Sequence, residues 1–504
     1  MTPLLCKKWV IFLKKLSEPN FENLKYGAGG GLPIIKTIWE KFGFSYLFAS
    51  IDKHSGTAPW KMVFAYSAGL IANSNSVNKI AGHCSDAPVL KEILNGDVPS
   101  QSALSRFFSK SLNWLECSMN RIKLFCSTPE TAISEGDVIA LDDTKIEHPY
   151  GRKLPFLCWL FDNSEKKHLW CMNLVSTLLV RSNGLTTPLL WRIWVQDKDK
   201  GAQAKMTKLV LAKDMLISLR TITPKRLWVA MDRWFLCKDL FQWLVANNFD
   251  WVTKCKRNTA LYQLSGYDWN NKPRYSPVKP AQLLAKVYPT LIKTGKPGEC
   301  ASMSIPDIYI KLPELKPNKK GTLVKKQIYT PVATVAVIRL PEDLDAEQPV
   351  IDLANPDEKA AHFKGSYLLI SNRYDAPEQA VIAYARRWKI EVFYRNAKQE
   401  LGLTSCHSQS STAHEAHIEM IFIVETLLTY ANWELNKDGA ITLTHGEMVR
   451  EIINTNHRIC LKDKLRVYFA TSSSTFTRFS KKFWPEDCNL GFGVAPSHLL
   501  GETA

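Results

Sequence analysis

Features that mark membrane and exported proteins are missing from this 504-residue sequence. No run of about 18 uncharged apolar residues occurs, so no transmembrane helix is predicted. The most apolar segment, IEMIFIVETLLTYANW, contains Glu419 and Glu425, which we expect at the polar edges of a buried helix. The N-terminal run WVIFL is too short for a signal peptide and has lysines on both sides. We therefore expect a cytoplasmic protein.

Cysteine is present, but not in the patterns of disulfide-rich or zinc-binding proteins. The 12 cysteines form no CxxC pair and have no repeated spacing. Cys84 follows His83 and Cys406 precedes His407, yet neither has a second pair at the spacing of zinc ligands. Internal repeats and low-complexity tracts are also absent. We interpret the cysteines as reduced thiols, most of them buried.

Acidic residues are fewer than basic residues, and this imbalance indicates what kind of molecule the protein binds. The chain has 48 Asp plus Glu against 65 Lys plus Arg, so its formal charge is +17. This excess favours a polyanionic partner. Nucleic acid fits better than a membrane, because the basic residues are spread along the chain instead of flanking an apolar span. The alternative is a generally basic soluble protein.

The first 130 residues have the apolar spacing of helices. The segments LPIIKTIWEKFGFSYLFASI and WKMVFAYSAGLIA follow this pattern. Gly96 and Pro99 then interrupt the chain, and Ser100 can cap the next helix, which carries Arg106. A small helix that begins with Ser, Gln and Ser is suited to a DNA groove, so Arg106 is a candidate DNA contact. Simple helix packing is the alternative interpretation.

From residue 137 onward the pattern predicts strands alternating with helices. Strand candidates are DVIALDD, LPFLCWLFD, HLWCMNLVSTLLV, PLLWRIWVQ, KRLWVAMD and DWVTKCK. Asn183 and Gly184 together are a strong hairpin signal. The segments AQAKMTKLVLAKDMLISLR and FLCKDLFQWLVANN are predicted helices between the later strands. The predicted fold class is therefore α/β.

Composition divides the chain further. Between 256 and 365, proline is frequent and β segments surround the basic loop KPNKKG, which indicates a β-rich inserted domain. The strand GSYLLISN then resumes the α/β pattern, and the chain after residue 400 is predicted to be helical with a basic end. The predicted regions are a helical, DNA-binding N-terminal region (1–130), a core in two parts (131–255 and 366–435), the insertion (256–365) and a helical C-terminal region (436–504).

Two acids stand at the ends of predicted strands. Asp142 lies in LDDTK and Asp232 follows LWVAM, so both are expected at one edge of the sheet. Such acids, completed by one from a nearby helix, form the oxygen site that Mg²⁺ prefers. Two ions there can clamp the attacking and leaving oxygens of a phosphodiester. Asp143 competes with Asp142, but strand alternation directs it to the other face. A turn residue is the alternative for each acid.

The segment YARRWKIEVFYRNAK supplies the helix. At about 100° per residue, Arg387, Glu391 and Lys398 fall within about 60° of Tyr384, in a single stripe. The pattern suits a metal-binding glutamate flanked by groups that hold phosphates. Trp388, beside the stripe, can stack on a base. The alternative is a ladder of ion pairs on a helix surface.

These motifs resemble the DDE transposases of bacterial insertion sequences, in particular the IS-four superfamily. The signature of that superfamily is Tyr, two residues, Arg, three residues, Glu, six residues and Lys. Here it is met at Tyr384, Arg387, Glu391 and Lys398, and QELGL follows. The resemblance also includes LDDT and VAMDRWF and spans residues 137 to about 405. Its Asp-x-Thr pattern favours Asp142 over Asp143.

The resemblance implies an RNase H-like catalytic core with a β-rich insertion between the second Asp and the Glu. It implies cut-and-paste transposition by a homodimer that binds double-stranded DNA at terminal inverted repeats and at the target. Two Mg²⁺ ions, which Mn²⁺ can replace, assist attack by water, hairpin formation and joining of the 3′-OH to target DNA. A bacterial, nucleoid-associated protein is expected. The implied metal ligands are Asp142, Asp232 and Glu391, and the implied DNA contacts are Tyr384, Arg387, Lys398 and Trp388.

Two other functions remain open from the sequence. One is a metal-dependent nuclease of the same fold that cuts DNA without joining it, although such an enzyme has no need of the insertion or of the Tyr, Arg and Lys trio. The other is a transposase-derived DNA-binding protein without catalysis, which the presence of all three acids disfavours. The base-stacking residue is open too, since the insertion also offers aromatic side chains.

Overall fold

A computed structural model gives the fold. It describes residues 24–27, 31–48, 51, 56–74, 76–110, 112–151, 154–162, 165–196, 206–256, 258–296, 298–317, 323–339, 366–437, 443–454, 456–460, 466–470 and 493–494. These ranges contain twelve α-helices and 17 strands. No helix among them is both long enough and apolar enough to span a membrane.

Apart from β1, the described part of the first 130 residues is mainly helical, as its apolar spacing predicts. Several helices begin at a side chain that accepts a hydrogen bond from the backbone N–H three residues on, which satisfies a group left free at a helix start. Ser76, Ser100 and Asn113 are such caps. The elements are β1 (Leu24–Gly27), α1 (Leu32–Lys41), α2 (Pro59–Ile71), α3 (Val77–Asp86), α4 (Pro88–Ile93), α5 (Gln101–Phe108) and α6 (Trp114–Phe125).

Strands and helices alternate in the next part, again as predicted. The strand LWVAM is buried at every position, which is typical of a central parallel strand covered on both faces. Gly184 has a φ of +86°, a left-handed conformation that suits glycine in the turn between two strands. The elements are β2 (Val138–Glu147), β3 (Cys158–Asp162), β4 (Lys167–Val180), β5 (Thr186–Trp194), α7 (Lys208–Arg220), β6 (Leu227–Met231), α8 (Lys238–Ala246) and β7 (Phe249–Lys254).

The predicted insertion is rich in strands, but these strands belong to two sheets. Four form a separate sheet in the order β12-β11-β8-β9, whereas β10 and β13 join the main sheet beside β14. Residues 340–365 lie outside the described ranges. The elements are β8 (Leu261–Tyr267), β9 (Pro273–Val278), α9 (Pro280–Thr294), β10 (Cys300–Ser304), β11 (Ile308–Pro317), β12 (Leu323–Pro331), β13 (Ala333–Arg339) and β14 (Ser366–Ser371).

The remaining part corrects one prediction, because the C-terminal region is not entirely helical. After two long helices and a short one, two strands pair with each other, and β15 pairs with β1 near the N-terminus. The alternation in NHRIC and RVYFA suits strands, and their partner lies at the other end of the chain. The elements are α10 (Pro377–Gln399), α11 (Ser411–Asn436), α12 (His445–Asn454), β15 (Asn456–Cys460), β16 (Arg466–Ala470) and β17 (Gly493–Val494).

The main sheet has nine strands in the order β10-β13-β14-β7-β6-β2-β4-β3, and β5 also pairs with β4. It separates two hydrophobic cores. Val138 and Ala140 lie in the core that contains α10, α11 and the N-terminal helices. Ile139 and Leu141 lie in the core that contains α7 and α8. Because side chains alternate along a strand, the next residue, Asp142, points toward α10.

Helix α11 corrects a second prediction. Glu419 and Glu425 were expected at polar edges, but both are fully buried. Glu419 accepts hydrogen bonds from Arg121 Nε and Trp191 Nε1, each at 2.8 Å. Glu425 lies 2.7 Å from Nε2 of His445. The partners that make this burial possible come from distant parts of the chain, so the apolar pattern of the segment could not reveal them.

Candidate active site

Three parallel strands bring their functional residues to one edge of the main sheet. β2 pairs with β6 up to Leu141 and Met231, and β6 pairs with β7 up to Met231 and Thr253. The residues that follow these partners are Asp142, Asp232 and Lys254. They therefore stand side by side on adjacent strands, which are about 4.8 Å apart.

Asp232 marks the point where β6 ends. Its carboxylate accepts a hydrogen bond from the backbone N–H of Trp234 at 3.4 Å, so it caps the 3₁₀ turn Arg233–Phe235. The side chain is partly exposed. The cap fixes the direction of the turn and leaves carboxylate oxygen free to accept other partners.

Helix α10 lies over this edge and contributes Glu391. The guanidinium of Arg387 donates to Asp142 Oδ2 at 2.9 Å and to Glu391 Oε1 at 2.5 Å. Arg387 is buried, so the pair is not part of a ladder on the helix surface. Tyr394, on the same helix, donates its hydroxyl to the backbone oxygen of Asp142 at 2.9 Å. Arg387 and Tyr394 both hold α10 against β2, and Arg387 also links Asp142 to Glu391.

Burial of Asp142 is the main influence on the electrostatics of the edge. Burial raises the pKa of Asp142 to about 7, and the charges of Asp143 and Asp232 raise it too, while Arg387 lowers it. Burial acts with the opposite sign on the pKa of Arg387. Burial alone lowers the pKa of its guanidinium, but Tyr384, Asp142 and Glu391 raise it above the usual value. The arginine therefore stays charged beside the two carboxylates.

Asp143 points to the other face of the sheet, as strand alternation predicts. Its Oδ2 accepts hydrogen bonds from Asn173 Nδ2 at 2.7 Å and from Lys208 Nζ at 2.8 Å. Asp143 thus already has two partners on the α7 side, whereas Asp142 shares Arg387 with Glu391. The geometry favours Asp142 as the partner of Glu391.

Lys254 is a site residue that the sequence interpretation missed. Its ammonium lies 3.9 Å from the ring centroid of Tyr367 and 5.6 Å from that of Tyr384. Burial lowers its pKa, as does the charge of Arg387, whereas Asp232 and Glu391 raise it. The rule that parallel strands end at one edge, applied to DWVTKCK, would have placed it beside the acids.

Two of the other predicted DNA contacts, Tyr384 and Lys398, lie at different points along α10. Tyr384 is buried near Arg387, whose guanidinium lies 5.4 Å from its ring centroid. Lys398 lies about 10 Å further along α10 than Glu391, since a helix rises about 1.5 Å per residue. Burial lowers the pKa of Lys398, with Asp162 raising it and Lys145 lowering it, so this lysine adjoins the β2–β3 side.

Trp388 and Arg106 are both exposed, but only one is near the acids. Trp388 has 58% of its surface exposed and lies on α10 one turn before Glu391. Arg106 is on the outer side of α5, whose other side packs Leu104 and Phe107 into the core. Ser100 caps α5 as predicted. No contact in the described part of the chain joins Arg106 to the acid edge.

The acid edge has the ligand chemistry of a divalent-cation site. The oxygen donors of Asp142, Asp232 and Glu391 suit Mg²⁺ or Mn²⁺. Among the described residues, however, no group of three or more His, Cys, Asp or Glu side chains is close enough to hold a metal ion. The guanidinium of Arg387 is the cation that contacts two of the carboxylates here. Burial is the main cause of the raised pKa of Asp142, and a metal cation bound there would favour the charged form of this carboxyl.

Comparison with known proteins identifies the family. Residues 134–427, more than half of the chain, match the sequence profile of the family described as the transposase DDE domain. The matched region contains β2 to β14, α10 and all three acids of the edge. Comparison with curated proteins gives no match. Members of this family act on DNA and generally use divalent metal ions. The chain therefore belongs to the DDE transposase family.

Proposed function

We propose that this protein is a cut-and-paste DNA transposase of the IS-four type, in which Asp142, Asp232 and Glu391 form the catalytic centre. The observation that carries the proposal is the bridge formed by Arg387 between Asp142 and Glu391, at the strand edge that Asp232 shares. The acids are separated by 90 or more residues in sequence, so it is the fold that brings them to the same edge of the sheet.

The sheet supports an RNase H-like core. Its central strands follow the order β5-β4-β2-β6-β7, with antiparallel pairing among the first three and parallel pairing among the last three. The acids lie on the first and fourth of these strands in chain order and on a later helix. The separate sheet β12-β11-β8-β9 lies between the second and third acids in sequence, where an insertion is expected.

Asp142, Asp232 and Glu391 would hold the metal ions, with Arg387 keeping two of these carboxylates adjacent. When bound, two divalent cations supply activation of the attacking oxygen and stabilisation of the leaving oxygen. Lys254 and Arg387 interact with the acids, and we propose that they and Tyr384 hold the phosphates of the reacting strand. Lys398 holds a phosphate further along α10.

The remaining parts of the proposal concern DNA and assembly. Arg106 on the outer side of α5 contacts the terminal inverted repeat, and Trp388 stacks on a base near the acids. The protein acts as a homodimer in the synaptic complex, cleaves the element ends through a hairpin intermediate and joins the 3′-OH to target DNA. The net charge of +17 supports association with DNA.

The test is cleavage of a labelled duplex that carries the terminal repeat of the element, with Mg²⁺ or EDTA. We expect hairpin and joined products from the wild type only with the metal. Glu391→Gln should bind the repeat with unchanged affinity and form no product, because the carboxylate needed by the metal is lost. Glu378→Gln, a change at an exposed glutamate in the first turn of α10, is the matched control and should remain active.

Three outcomes separate the alternatives. Nicked but never joined products from the wild type would indicate a nuclease without strand transfer. Binding without cleavage in Mg²⁺ or Mn²⁺ would indicate a catalytically silent DNA-binding protein. Equal cleavage by the wild type and Glu391→Gln would overturn the assignment of the site.

A further inference from the structure

A buried tyrosine hydroxyl contacts the strand residue that carries the first acid. Tyr394 of α10 is buried, and its hydroxyl donates to the backbone oxygen of Asp142 at 2.9 Å. The same hydroxyl lies 2.8 Å from Oγ of Ser176 on β4. Because a phenol has one hydrogen, which here goes to Asp142, Ser176 donates its own hydrogen to the phenolic oxygen. A single hydroxyl therefore joins α10, β2 and β4.

The register of the sheet shows what this contact restrains. Asp142 and Ser176 are opposite each other in β2 and β4, so their side chains project from the same face of the sheet, toward α10. On its other side, β2 pairs with β6 only up to Leu141 and Met231. Asp142 is thus the first residue of β2 beyond the parallel pairing, where one neighbouring strand no longer holds the backbone. The tyrosine restrains β2 at this residue.

Helical spacing places Tyr394 beside the two other α10 groups of the site. Tyr394 follows Arg387 by seven residues and Glu391 by three, so the three side chains lie within about 60° of arc. Arg387 holds Asp142 by its Oδ2 atom, whereas Tyr394 holds it by its backbone oxygen. A metal cation at the site competes with the guanidinium for carboxylate oxygen but not with the phenol. The contact of Tyr394 is therefore compatible with a bound metal.

The hydroxyl, and not only the ring, has a defined place in the core. The ring centroid lies 5.4 Å from that of Phe393, in a contact that an apolar ring would also make. A hydroxyl buried there without partners would destabilise the fold, and its two partners offset that cost. Burial raises the pKa of the Tyr394 phenol well above its usual value, and the charge of Asp142 raises it further. The phenol therefore keeps the hydrogen that it donates to Asp142.

We propose that Tyr394 is a positioning residue, oriented by Ser176. It holds α10 and β2 at the separation at which Asp142 and Glu391 bind one divalent cation together. This inference rests on the proposed function, since it requires a metal ion at the acids. A strand carries Asp142 and a helix carries Glu391, so the relative position of their carboxylates depends on contacts between that helix and that strand. Loss of a side chain that orients a metal ligand typically weakens metal binding by about 10- to 100-fold.

The test measures metal affinity in the absence of DNA, so that neither DNA binding nor catalysis is needed. Mn²⁺ is the probe, because carboxylate oxygen suits it and electron paramagnetic resonance measures the free ion directly. We expect Tyr394→Phe, which removes only the hydroxyl, to bind Mn²⁺ about tenfold more weakly than the wild type does. Glu391→Gln in the same titration verifies that the measured ion is bound at the acids.

The metal dependence of cleavage supplies a second readout. For Tyr394→Phe, the Mg²⁺ concentration that gives half of the maximal rate on the terminal repeat should rise by about tenfold as well. The rate at saturating Mg²⁺ should stay close to that of the wild type, because excess metal ion compensates for weaker binding. A general loss of folded protein would instead lower the rate at every Mg²⁺ concentration.

Two further variants serve as comparisons. Ser176→Ala should weaken Mn²⁺ binding less than Tyr394→Phe does, because the phenol keeps its hydrogen bond to Asp142 but loses the group that orients it. The matched control is Tyr430→Phe on α11, at another buried tyrosine, whose hydroxyl donates to Glu130 at 3.1 Å. This variant should bind Mn²⁺ with unchanged affinity. Thermal unfolding of each variant verifies that the fold is kept.

Unchanged Mn²⁺ affinity in folded Tyr394→Phe would overturn the inference, as would an equal loss in Tyr430→Phe or a rate loss that saturating Mg²⁺ does not restore. A wild type that binds no Mn²⁺ at the acids would overturn it too. If the wild type cleaves and joins DNA but Tyr394→Phe binds Mn²⁺ as the wild type does, this inference alone fails. If Mn²⁺ binding depends on Tyr394 but no DNA is ever cleaved, the positioning role stands and the catalytic proposal fails.

Discussion

Two arginines of this protein each bind a glutamate, but in different surroundings. Arg121 and Glu419 are fully buried between α6 and α11, and Arg121 also donates to the backbone oxygens of Pro188 and Leu189 at 2.6 and 2.8 Å. At the acid edge, Arg387 is buried, but Glu391 has 34% of its side chain exposed. One cluster is closed to solvent, and the other opens to it.

Charge balance separates the two clusters further. Glu419 is matched by one arginine and accepts further hydrogen bonds from Ser118 and Trp191. Arg387 faces Asp142 and Glu391 together, and Asp232 adds a third negative charge nearby. Its Nε has no hydrogen-bond partner in the part of the chain that is described. A satisfied cluster stabilises a core, whereas an open cluster with surplus acid is suited to binding a cation.

The largest effect is expected from breaking the closed cluster. Arg121→Met leaves the carboxylate of Glu419 buried without its cation, so the free energy of unfolding should fall by about 3 to 5 kcal/mol. Urea unfolding followed by circular dichroism measures it. If the variant is insoluble, Arg121→Met combined with Glu419→Leu should recover soluble protein, because the unpaired charge is removed.

Arg387→Met is the matched control for this comparison. It should lower the free energy of unfolding much less, because Asp142 and Glu391 keep contact with water. Equal losses for the two arginines would contradict the distinction between the closed and open clusters.

The second effect concerns the adjacent acids of β2. Asp142→Asn should reduce strand cleavage at least about 100-fold, since a metal ligand is lost, whereas the stability of the fold should change by only about 1 kcal/mol. Asp143→Asn should reduce cleavage about tenfold or less, because that carboxylate acts through Lys208 on the other face. The cleavage rates of the two variants are compared in single-turnover reactions on the terminal repeat. A larger loss for Asp143→Asn would reverse the assignment.

The third effect is a pH dependence of stability in EDTA. The pKa of Asp142 is raised to about 7 in the folded protein, compared with about 3.9 in an unfolded chain. Between these values the folded state binds a proton that the unfolded state has released, so stability falls as the pH rises. Asp142→Asn cannot titrate. Relative to the wild type, it should gain about 2 to 3 kcal/mol in the free energy of unfolding between about pH 5 and pH 8.

Urea unfolding of both proteins at a series of pH values measures this gain. A constant difference between them would mean that Asp142 titrates normally. If Asp142→Asn instead lost stability relative to the wild type as the pH rises, the pKa of Asp142 would be lowered in the folded protein, not raised.

How far the sequence predicts this structure depends on whether a feature is local. Asp232 could be predicted because a buried apolar strand ends at it, and the stripe on α10 because helical spacing fixes which residues share a face. The spacing could not show that Arg387 meets Asp142, because periodicity says nothing about what lies opposite a face. The contact between Arg121 and Glu419 joins residues 298 positions apart. The strand β15 likewise depends on β1, near the other end of the chain.

The smallest effect is expected at the far end of the α10 stripe. If Lys398 binds one phosphate, Lys398→Met should weaken DNA binding uniformly across sequences. It should also reduce the slope of log affinity against log salt concentration by about one. Filter binding at a series of salt concentrations measures this slope.

The control for Lys398 is another lysine of the same helix. Lys389 is exposed and lies about 180° around α10 from Lys398, so Lys389→Met removes the same charge from the opposite face. For Lys389→Met, the slope of log affinity against log salt concentration should equal that of the wild type. Equal reductions in the two variants would mean that α10 attracts DNA through its total charge. A reduction only in Lys398→Met would extend the open cluster along the helix, from the acids at Glu391 to a phosphate contact near Asp162 and Lys145.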